Sequence, residues 1–454
     1  MAGPRAQGEL GLSITGLGSQ YPPYSLPPSA VETLAKRFYP DSPAMQKVLS
    51  INRFTGIDQR SSIGEPDHPI VNGPTAPSIA ELNKVFMDDG VPLAVSASRQ
   101  ALTEARISAE QVTHMVSTTC TNSANPGYDH FVARQLGLRP TTEKVLLHGV
   151  GCSGGLAALR TAANLCLGHA MRGLPARILV VALEVSTTLV RSELDSINEL
   201  QETRIGVALF SDCAGAMILS NGIPFSPAEP ETEAIYDLLG WEHQVIPETE
   251  GDLGFDVDPA GWKVVLTPRV PNLTQSVLEP SYNSLFSNLS RLLPSQYRTA
   301  ADFDWAMHPG GATILTGAEK ALGLKPEHMR ASYDTYINHG NSSSATIISV
   351  LNRLRAKDMD EMTPDGRGPR DHIVGCAFGP GITVEMCMLR RNLAPGRRNN
   401  MTGLQTPPET ESESSEAGGP SSENGDDRTS EVGEEGEEAE AAFISEALDS
   451  VELD

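Results

Sequence analysis

Apolar residues along this chain fall into two kinds of run that alternate over most of its length. Segments 112–120, 144–150, 177–185, 207–220, 303–308 and 372–388 carry apolar and β-branched residues at consecutive or alternating positions and predict strands or strand pairs. Between them, 93–104, 155–167, 277–293 and 313–322 place apolar residues three and four apart, which predicts helices. The run 178–183 is apolar throughout, as in a strand covered on both faces. Strands alternating with helices predict an α/β layered architecture. No apolar run approaches the roughly 18–20 residues that cross a membrane. The first twenty residues lack the charged-then-apolar pattern of a signal peptide, so a soluble, cytoplasmic protein is expected.

The alternation stops near residue 395. Beyond it Pro, Ser, Gly and Glu dominate, and Phe443 is the one aromatic residue from 401 to the end. Such a segment cannot bury enough apolar surface to offset its ordering entropy. The expected organisation is therefore a folded body over 1–395 and a disordered acidic tail over 396–454. Within the tail, Phe443, Ile444, Ala447, Leu448 and Val451 recur at helical spacing, so docking on a protein partner stands as the alternative to a solvated tail. The chain has 454 residues, 39% of them apolar, and a net charge of −24. Residues 401–454 hold 17 acidic side chains and one basic, which leaves the body at a net charge of −8. Neither part offers the basic run that neutralises phosphates, so no nucleic-acid partner is expected.

Six cysteines are scattered without a C-x-x-C pair, the usage of a reducing compartment in which a single thiol can be chemical. Cys152 stands apart. The stretch Gly149-Val150-Gly151-Cys152-Ser153-Gly154-Gly155 ends an apolar run and opens a helix. Unpaired backbone N–H groups and the positive end of a helix dipole there favour a thiolate. Cys166, Cys213, Cys376 and Cys387 lie in or beside apolar runs without such a turn and read as packing residues.

A nucleophilic thiol needs a base. His148 lies on the preceding strand and is expected to point into the sheet, while His68, His114, His130, His169, His243, His328 and His372 sit in polar contexts. His308 ends the run Trp305-Ala306-Met307 and enters Pro309-Gly310-Gly311, which delivers a side chain into a glycine-lined opening. His339, beside another small-residue turn, remains a competitor. In that turn, His339-Gly340-Asn341-Ser342-Ser343-Ser344, the carboxamide of Asn341 reads equally as a donor to a developing oxyanion and as a helix N-cap.

Taken in order, the Cys152, His308 and Asn341 blocks and the closing Ala377-Phe378-Gly379-Pro380-Gly381 loop resemble the motifs of type III polyketide synthases, the chalcone synthase family. The resemblance spans about 10–392. It implies a thiolase-like five-layered αβαβα fold of two pseudo-duplicated halves, about 1–225 and 226–395, and a homodimer. It also implies iterative decarboxylative condensation of malonyl-CoA onto an acyl-CoA starter, with CoA thioesters as substrates and no metal or other cofactor. By the same resemblance Cys152 holds the acyl chain, while His308 keeps it ionised and joins Asn341 in stabilising the enolate. Phe210 and Phe255 resemble gatekeeping phenylalanines. Cys120, Thr121 and Ser186 resemble cavity residues that tune chain length, with ordinary core packing as the alternative for each. Gly379 and Pro380 belong to the signature loop. Lys47, Arg53 and, foremost, Arg60 lie where the resemblance places cations for the CoA phosphates. The G-C-S-G-G turn resembles the fungal branch, which implies long acyl starters and alkylpyrone or alkylresorcinol products.

Three rival readings stand beside this one. A carrier-protein-dependent ketoacyl synthase of the initiating type shares Cys, His and Asn, but its histidine block usually continues with glutamine and alanine where this chain has Pro309-Gly310-Gly311. A Cys/His/Asn hydrolase would not need the buried glycine turns. A non-catalytic scaffold using its acidic tail would not need the intact Cys152, His308 and Asn341 set.

Overall fold

The computed structural model of the protein describes residues 9–229, 233–258 and 261–392. The tail predicted over 396–454, with its apolar stretch at 443–451, lies outside them. Among the described residues, seven strands come from the first part of the chain: β1 (Leu12–Gln20), β2 (Tyr24–Leu26), β3 (Arg60–Ser62), β4 (His114–Thr118), β5 (Glu143–Leu147), β6 (Arg177–Val185) and β7 (Asp212–Ser220). Six follow: β8 (Tyr236–Val245), β9 (Leu253–Asp258), β10 (Gly261–Leu266), β11 (Asp304–Met307), β12 (His372–Gly379) and β13 (Thr383–Arg391).

Nine of them form one hydrogen-bonded sheet in the order β11-β12-β13-β8-β1-β7-β6-β4-β5. At its centre β1 and β8 pair antiparallel through Leu12–Ile14 and Tyr236–Leu238. Each arm then repeats one plan outward. β7 and β6 add antiparallel and β4 adds parallel on one side; β13 and β12 add antiparallel and β11 adds parallel on the other. The first arm alone carries a further parallel strand, β5.

Alternation within strands assigns the layers. Leu179, Val181 and Leu183 of β6 pack outward with the helix Val91–Ala105, and Ile178, Val180 and Ala182 pack inward. In the second arm Val374 and Cys376 face the outer helices Val270–Leu289 and Ala312–Leu322. Ile373 and Ala377 face inward. Both inner faces share one apolar cluster with the helices Gly154–Met171 and Thr346–Leu354. The order through the molecule is helix, sheet, helix, sheet, helix, the five layers of the thiolase-like fold.

The hydrophobic pattern located β6, β11 and the β12–β13 hairpin but not the central pair β1 and β8. In β1 the pattern is broken by Gly16 and Gly18, where a Cβ would collide with the carbonyl oxygen of Ala101 or Ala97 in the helix Val91–Ala105. The glycines permit close helix–strand approach. The predicted strand 207–220 begins instead as a short helix, Gly206–Leu209, before β7.

Two glycines set the spacing of the central layer. At Gly155 a Cβ would stand 2.5 Å from Ile347 Cγ2 and 2.6 Å from the Ser344 carbonyl oxygen, and at Gly154 it would stand 2.9 Å from Ser344 Cβ. The turn that opens one central helix therefore rests directly on the turn that opens the other. Arg160, two turns into the first helix, holds Glu385 of β13 through Nε at 2.9 Å and Nη2 at 2.7 Å, and His243 approaches the same carboxylate at 2.8 Å. This ties the first half's helix to the second half's sheet. Gly155→Ala must move backbone and is expected to lower unfolding free energy by about 1–3 kcal/mol, measured by urea titration; an unchanged midpoint would refute this account of the helix contact.

Candidate active site

Cys152 lies in a single 3-10 turn, Gly151–Ser153, that runs directly into the helix Gly154–Met171. Gly151 adopts φ of +45°, and a Cβ there would meet Pro380 at 2.6 Å, so the left-handed turn and the close contact both require glycine. Gly379 is equally confined, since a Cβ would overlap Ser153 Oγ and the Val150 carbonyl oxygen. The structure thus places Gly379 and Pro380 behind the cysteine turn, where they fix its position.

Opposite, the chain passes from β-type pairing into the second central helix. Asn341 N donates to the Leu209 carbonyl at 3.0 Å, and Ser211 N donates to the Asn341 carbonyl at 2.9 Å, so Asn341 and Phe210 run side by side. The Asn341 carboxamide uses both ends: Oδ1 accepts from Ser343 N at 2.8 Å, and Nδ2 donates to the Gly310 carbonyl at 3.2 Å, two residues beyond His308. It is not a side-chain cap on the following helix. Ser343 is a non-glycine residue at φ of +47°, a costly conformation that directs its hydroxyl to the cysteine. Ser343 Oγ donates to Cys152 Sγ at 3.4 Å and lies 3.3 Å from Cys120 Sγ.

Burial works against charge on both reacting groups. It pushes the Cys152 thiol up to about 11, opposed by hydrogen bonds from Ser343, from its own backbone N–H and from Asn341, while nearby Glu184 adds to the rise. It pulls His308 down to about 3. Burial of the turn thus opposes the thiolate that the helix start favours. His308 is 1% exposed, its backbone N donates to the Cys376 carbonyl at 2.7 Å, and among the described residues neither ring nitrogen has a hydrogen-bond partner. The hydrogen-bonding capacity of the imidazole is thus not spent on the fold. His339 is committed elsewhere, stacked on Tyr21 at 3.7 Å with Nδ1 2.9 Å from Ser61 Oγ. His148 is exposed past the end of β5 instead of pointing into the sheet. His114, His328 and His372, read from their contexts as polar positions, are buried.

Two groups in this region carried no sequence signal. One is Ser343. The other is Glu184 at the end of β6, fully buried and, among the described residues, without a cation. It accepts hydrogen bonds from Cys120 N at 3.1 Å, Thr119 Oγ1 at 3.2 Å, Thr121 Oγ1 at 2.8 Å and Ser344 Oγ. Burial raises its carboxyl above the usual range, and these donors moderate the rise. Cys120 Sγ lies 3.4 Å from the same carboxylate and is itself raised by burial. Cys120 and Thr121 thus belong to the wall behind Cys152.

Phe210 and Phe255, with ring centroids 6.2 Å apart, share with Ser186 and Arg60 the wall of a cavity of about 790 Å³ including its open mouth. Cys152, His308 and Asn341 are not in that wall; the Phe210–Asn341 pairing joins it to them. Asp212 sets the Ser186 corner, accepting from Ser186 N at 2.6 Å, Thr187 N at 2.8 Å and Ile63 N at 2.9 Å. Burial pushes the Asp212 carboxyl up to about 6 against those bonds and that of the Thr187 hydroxyl. Arg60 corrects an expectation. Its guanidinium is buried, donates to the Ala208 carbonyl at 2.7 Å and to Asn52, and is lowered to about 10 by desolvation. It anchors the segment leading to Phe210 and does not face solvent as a phosphate-binding cation would. Arg53 is held by Glu32 at 2.6 Å.

Comparison with known proteins places these features in one family. The model of the chalcone and stilbene synthase N-terminal domain matches residues 58–223, and that of the C-terminal domain matches residues 238–392. The chain is 42% identical over 395 residues to the type III polyketide synthase pspB of Penicillium soppii, covering 84% of this chain and 96% of that protein. It is 39% identical over 381 residues to the acylalkylpyrone synthase csyB of Aspergillus oryzae, covering 84% and 94%. Among solved structures, a type III pentaketide synthase from Neurospora crassa superposes with a TM-score of 0.82 at 72% identity, covering 84% of this chain and all of that one.

Removing the hydroxyl that favours the thiolate has a signed consequence. Ser343→Ala is expected to move the pH profile of Cys152 alkylation by iodoacetamide to higher pH, with slower alkylation at neutral pH. A profile that stays in place would show that the Ser343 hydroxyl does not act on the thiol.

Proposed function

The chain belongs to the chalcone and stilbene synthase family, and on that premise we propose that its starter is a long aliphatic acyl-CoA and its products are alkylpyrones or alkylresorcinols. The enzyme is a type III polyketide synthase, an acyl-CoA condensing transferase. The initiating-type ketoacyl synthase and the non-catalytic scaffold find no support among the matched proteins. The observation that carries the starter reading is the predominantly apolar cavity beyond Phe210, which offers an aliphatic chain a surface to bury. The acylalkylpyrone synthase relative agrees with that class of product.

In this reading Cys152 Sγ attacks the starter thioester carbonyl. The sulfur–carbon bond forms, CoA leaves as its thiol, and His308 manages the proton. Since burial disfavours either charge singly, thiolate and imidazolium arise together as a pair whose charges compensate. Malonyl-CoA then loses CO2, and the electron pair left behind resides on the thioester oxygen as an enolate. His308 and the Asn341 Nδ2–H donate to that oxygen, where preorganised donors in a water-excluded site are most effective. The enolate carbon attacks the Cys152-bound acyl carbonyl, the carbon–sulfur bond to Cys152 breaks, and the lengthened chain leaves as a β-ketoacyl-CoA that reloads. Closure through an enol oxygen expels CoA and gives a pyrone; closure through carbon leads to a resorcinol. No resident metal or cofactor is invoked, since CoA thioesters are substrates.

The same reading extends to assembly and place. We infer a homodimer, supported by β5: among the described residues it ends the sheet and pairs with β4 alone, and it exposes Glu143, Lys144 and Val145. An edge of this kind is normally covered. Six free cysteines suit a cytoplasmic location. Among the described residues no helix is long and apolar enough to cross a membrane.

Purified protein supplied with malonyl-CoA and starters from acetyl- to stearoyl-CoA, beside p-coumaroyl-CoA, is expected to give pyrones or resorcinols chiefly from long chains. Cys152→Ala should lose that activity by orders of magnitude. Turnover of p-coumaroyl-CoA with none of the fatty starters would overturn the starter proposal. Sedimentation velocity should report twice the chain mass, and Val145→Glu should shift the particle toward monomer; a monomeric native protein at micromolar concentration would overturn the dimer.

A further inference from the structure

Two of the six cysteines retain access to solvent, and they lie side by side. Cys120 and Cys152 are partly exposed, whereas Cys166, Cys213, Cys376 and Cys387 are buried. Cys376 and Cys387 stand on paired strands but face opposite layers. Cys120 and Cys152 instead flank one hydroxyl, for Ser343 Oγ lies 3.4 Å from Cys152 Sγ and 3.3 Å from Cys120 Sγ. The chain segments that carry them also approach closely: a Cβ at Gly154, two residues past Cys152, would stand 2.5 Å from Oγ1 of Thr118, two residues before Cys120. On its other side Cys120 Sγ donates to Glu184 Oε2 at 3.4 Å. Burial foremost, then the charges of Glu184 and Cys152, raise the Cys120 thiol and favour its protonated form.

Condensation as described above gives the Cys120 thiol no step. We infer that Cys120 is a resolving thiol for Cys152: in the presence of a hydroperoxide the two sulfurs join in a disulfide that switches condensation off and that a dithiol reverses. This rests on the reading of Cys152 as a nucleophile that ionises together with His308, since the thiolate is the form a peroxide oxidises. Cys152 Sγ attacks one peroxide oxygen; the sulfur–oxygen bond forms, the oxygen–oxygen bond breaks, and a sulfenic acid and one water result. Cys120 Sγ then attacks the Cys152 sulfur. The sulfur–sulfur bond forms, the sulfur–oxygen bond breaks, and the departing hydroxide takes up the proton that Cys120 releases beside Glu184, leaving as a second water. Two thiols and one peroxide thus give one disulfide and two waters. Both sulfurs must turn from the Ser343 hydroxyl toward each other to reach the roughly 2.05 Å of a disulfide bond. Without Cys120 the sulfenic acid has no neighbouring thiol to meet and passes on to the irreversible sulfinic acid. The pair therefore both stops the enzyme and preserves its nucleophile.

The test treats wild type and Cys120→Ser with hydrogen peroxide, blocks the remaining thiols with iodoacetamide, and weighs the tryptic peptides. In wild type the peptides 107–134 and 145–160, which carry Cys120 and Cys152, are expected as one linked species two hydrogens lighter than their sum. Condensation should fall as that species appears and return nearly in full with dithiothreitol. Cys120→Ser should instead show Cys152 carrying added oxygen, and dithiothreitol should restore about tenfold less of that variant's own starting activity. Wild-type Cys152 that gains oxygen without the link, or that peroxide leaves unmodified, overturns the inference, and so does recovery of Cys120→Ser equal to that of wild type. The mapped link needs no turnover, so it stands or falls apart from the starter reading; failure of Cys152 as the nucleophile shows separately, as activity kept by Cys152→Ala. Should Cys120→Ser fail to fold, the link mapped in wild type decides.

Discussion

Contact between two turns, one from each half of the molecule, underlies everything else at the site. Because Gly154 and Gly155 carry no side chains, the turn ahead of one central helix lies on Ser344, in the turn ahead of the other. That single approach brings Cys152, from the first half, under the hydroxyl of Ser343, from the second. It also sets Asn341 between the cysteine and the Gly310 carbonyl of the His308 turn. The sheet arms, which repeat one plan about the β1–β8 pair, serve as the frame that delivers two helix starts to one place. Neither half alone contains the site. The bidentate Arg160–Glu385 contact keeps the halves from sliding past one another.

Burial is the second constraint, and it acts on each titratable group in the same direction, toward neutrality. The thiol is pushed up, the imidazole down, and the Glu184 carboxyl up. The proposed mechanism therefore uses no single charge waiting in the resting state. It depends on charges that form together and are met by donors already in position: Ser343 Oγ, Asn341 Nδ2 and the unengaged imidazole. A buried carboxylate without a cation behind the nucleophile is costly to keep. It is kept by four neighbouring residues that donate to it, and Cys120 and Thr121 are positioned as part of that arrangement.

The legibility of this arrangement in the sequence divided by mechanism. Cys152, His308 and Asn341 could be read because each sits at a small-residue turn that ends a strand or opens a helix, and such turns are written locally. Ser343 and Glu184 could not: Ser343 lies in a run of three serines, and Glu184 ends an apolar strand like any β-strand terminus. Their roles exist only after two distant segments meet. Arg60 was misread for the converse reason. The resemblance implied a cation for the CoA phosphates there, whereas the folded chain turns it inward to Ala208 and Asn52. The missed strands β1 and β8 follow the same logic, since Gly16, Gly18 and Gly240 interrupt a hydrophobic pattern in order to admit a neighbouring helix.

The cavity obeys a different rule from the reacting centre. At the centre, each polar group is matched to a charge that appears during reaction, so the requirements are few and the same turns serve any chain that reaches Cys152. In the cavity, apolar wall tolerates many chains of similar shape, because each methylene contributes a small and non-directional increment. Discrimination must come from exceptions to that wall. Asp212 fixes the Ser186 corner by accepting from three backbone N–H groups, which makes that part of the boundary rigid. A rigid corner of this kind limits the shape of the chain that fits. Divergence among enzymes built on this frame can therefore proceed through the cavity wall while the paired turns that carry out condensation stay unchanged.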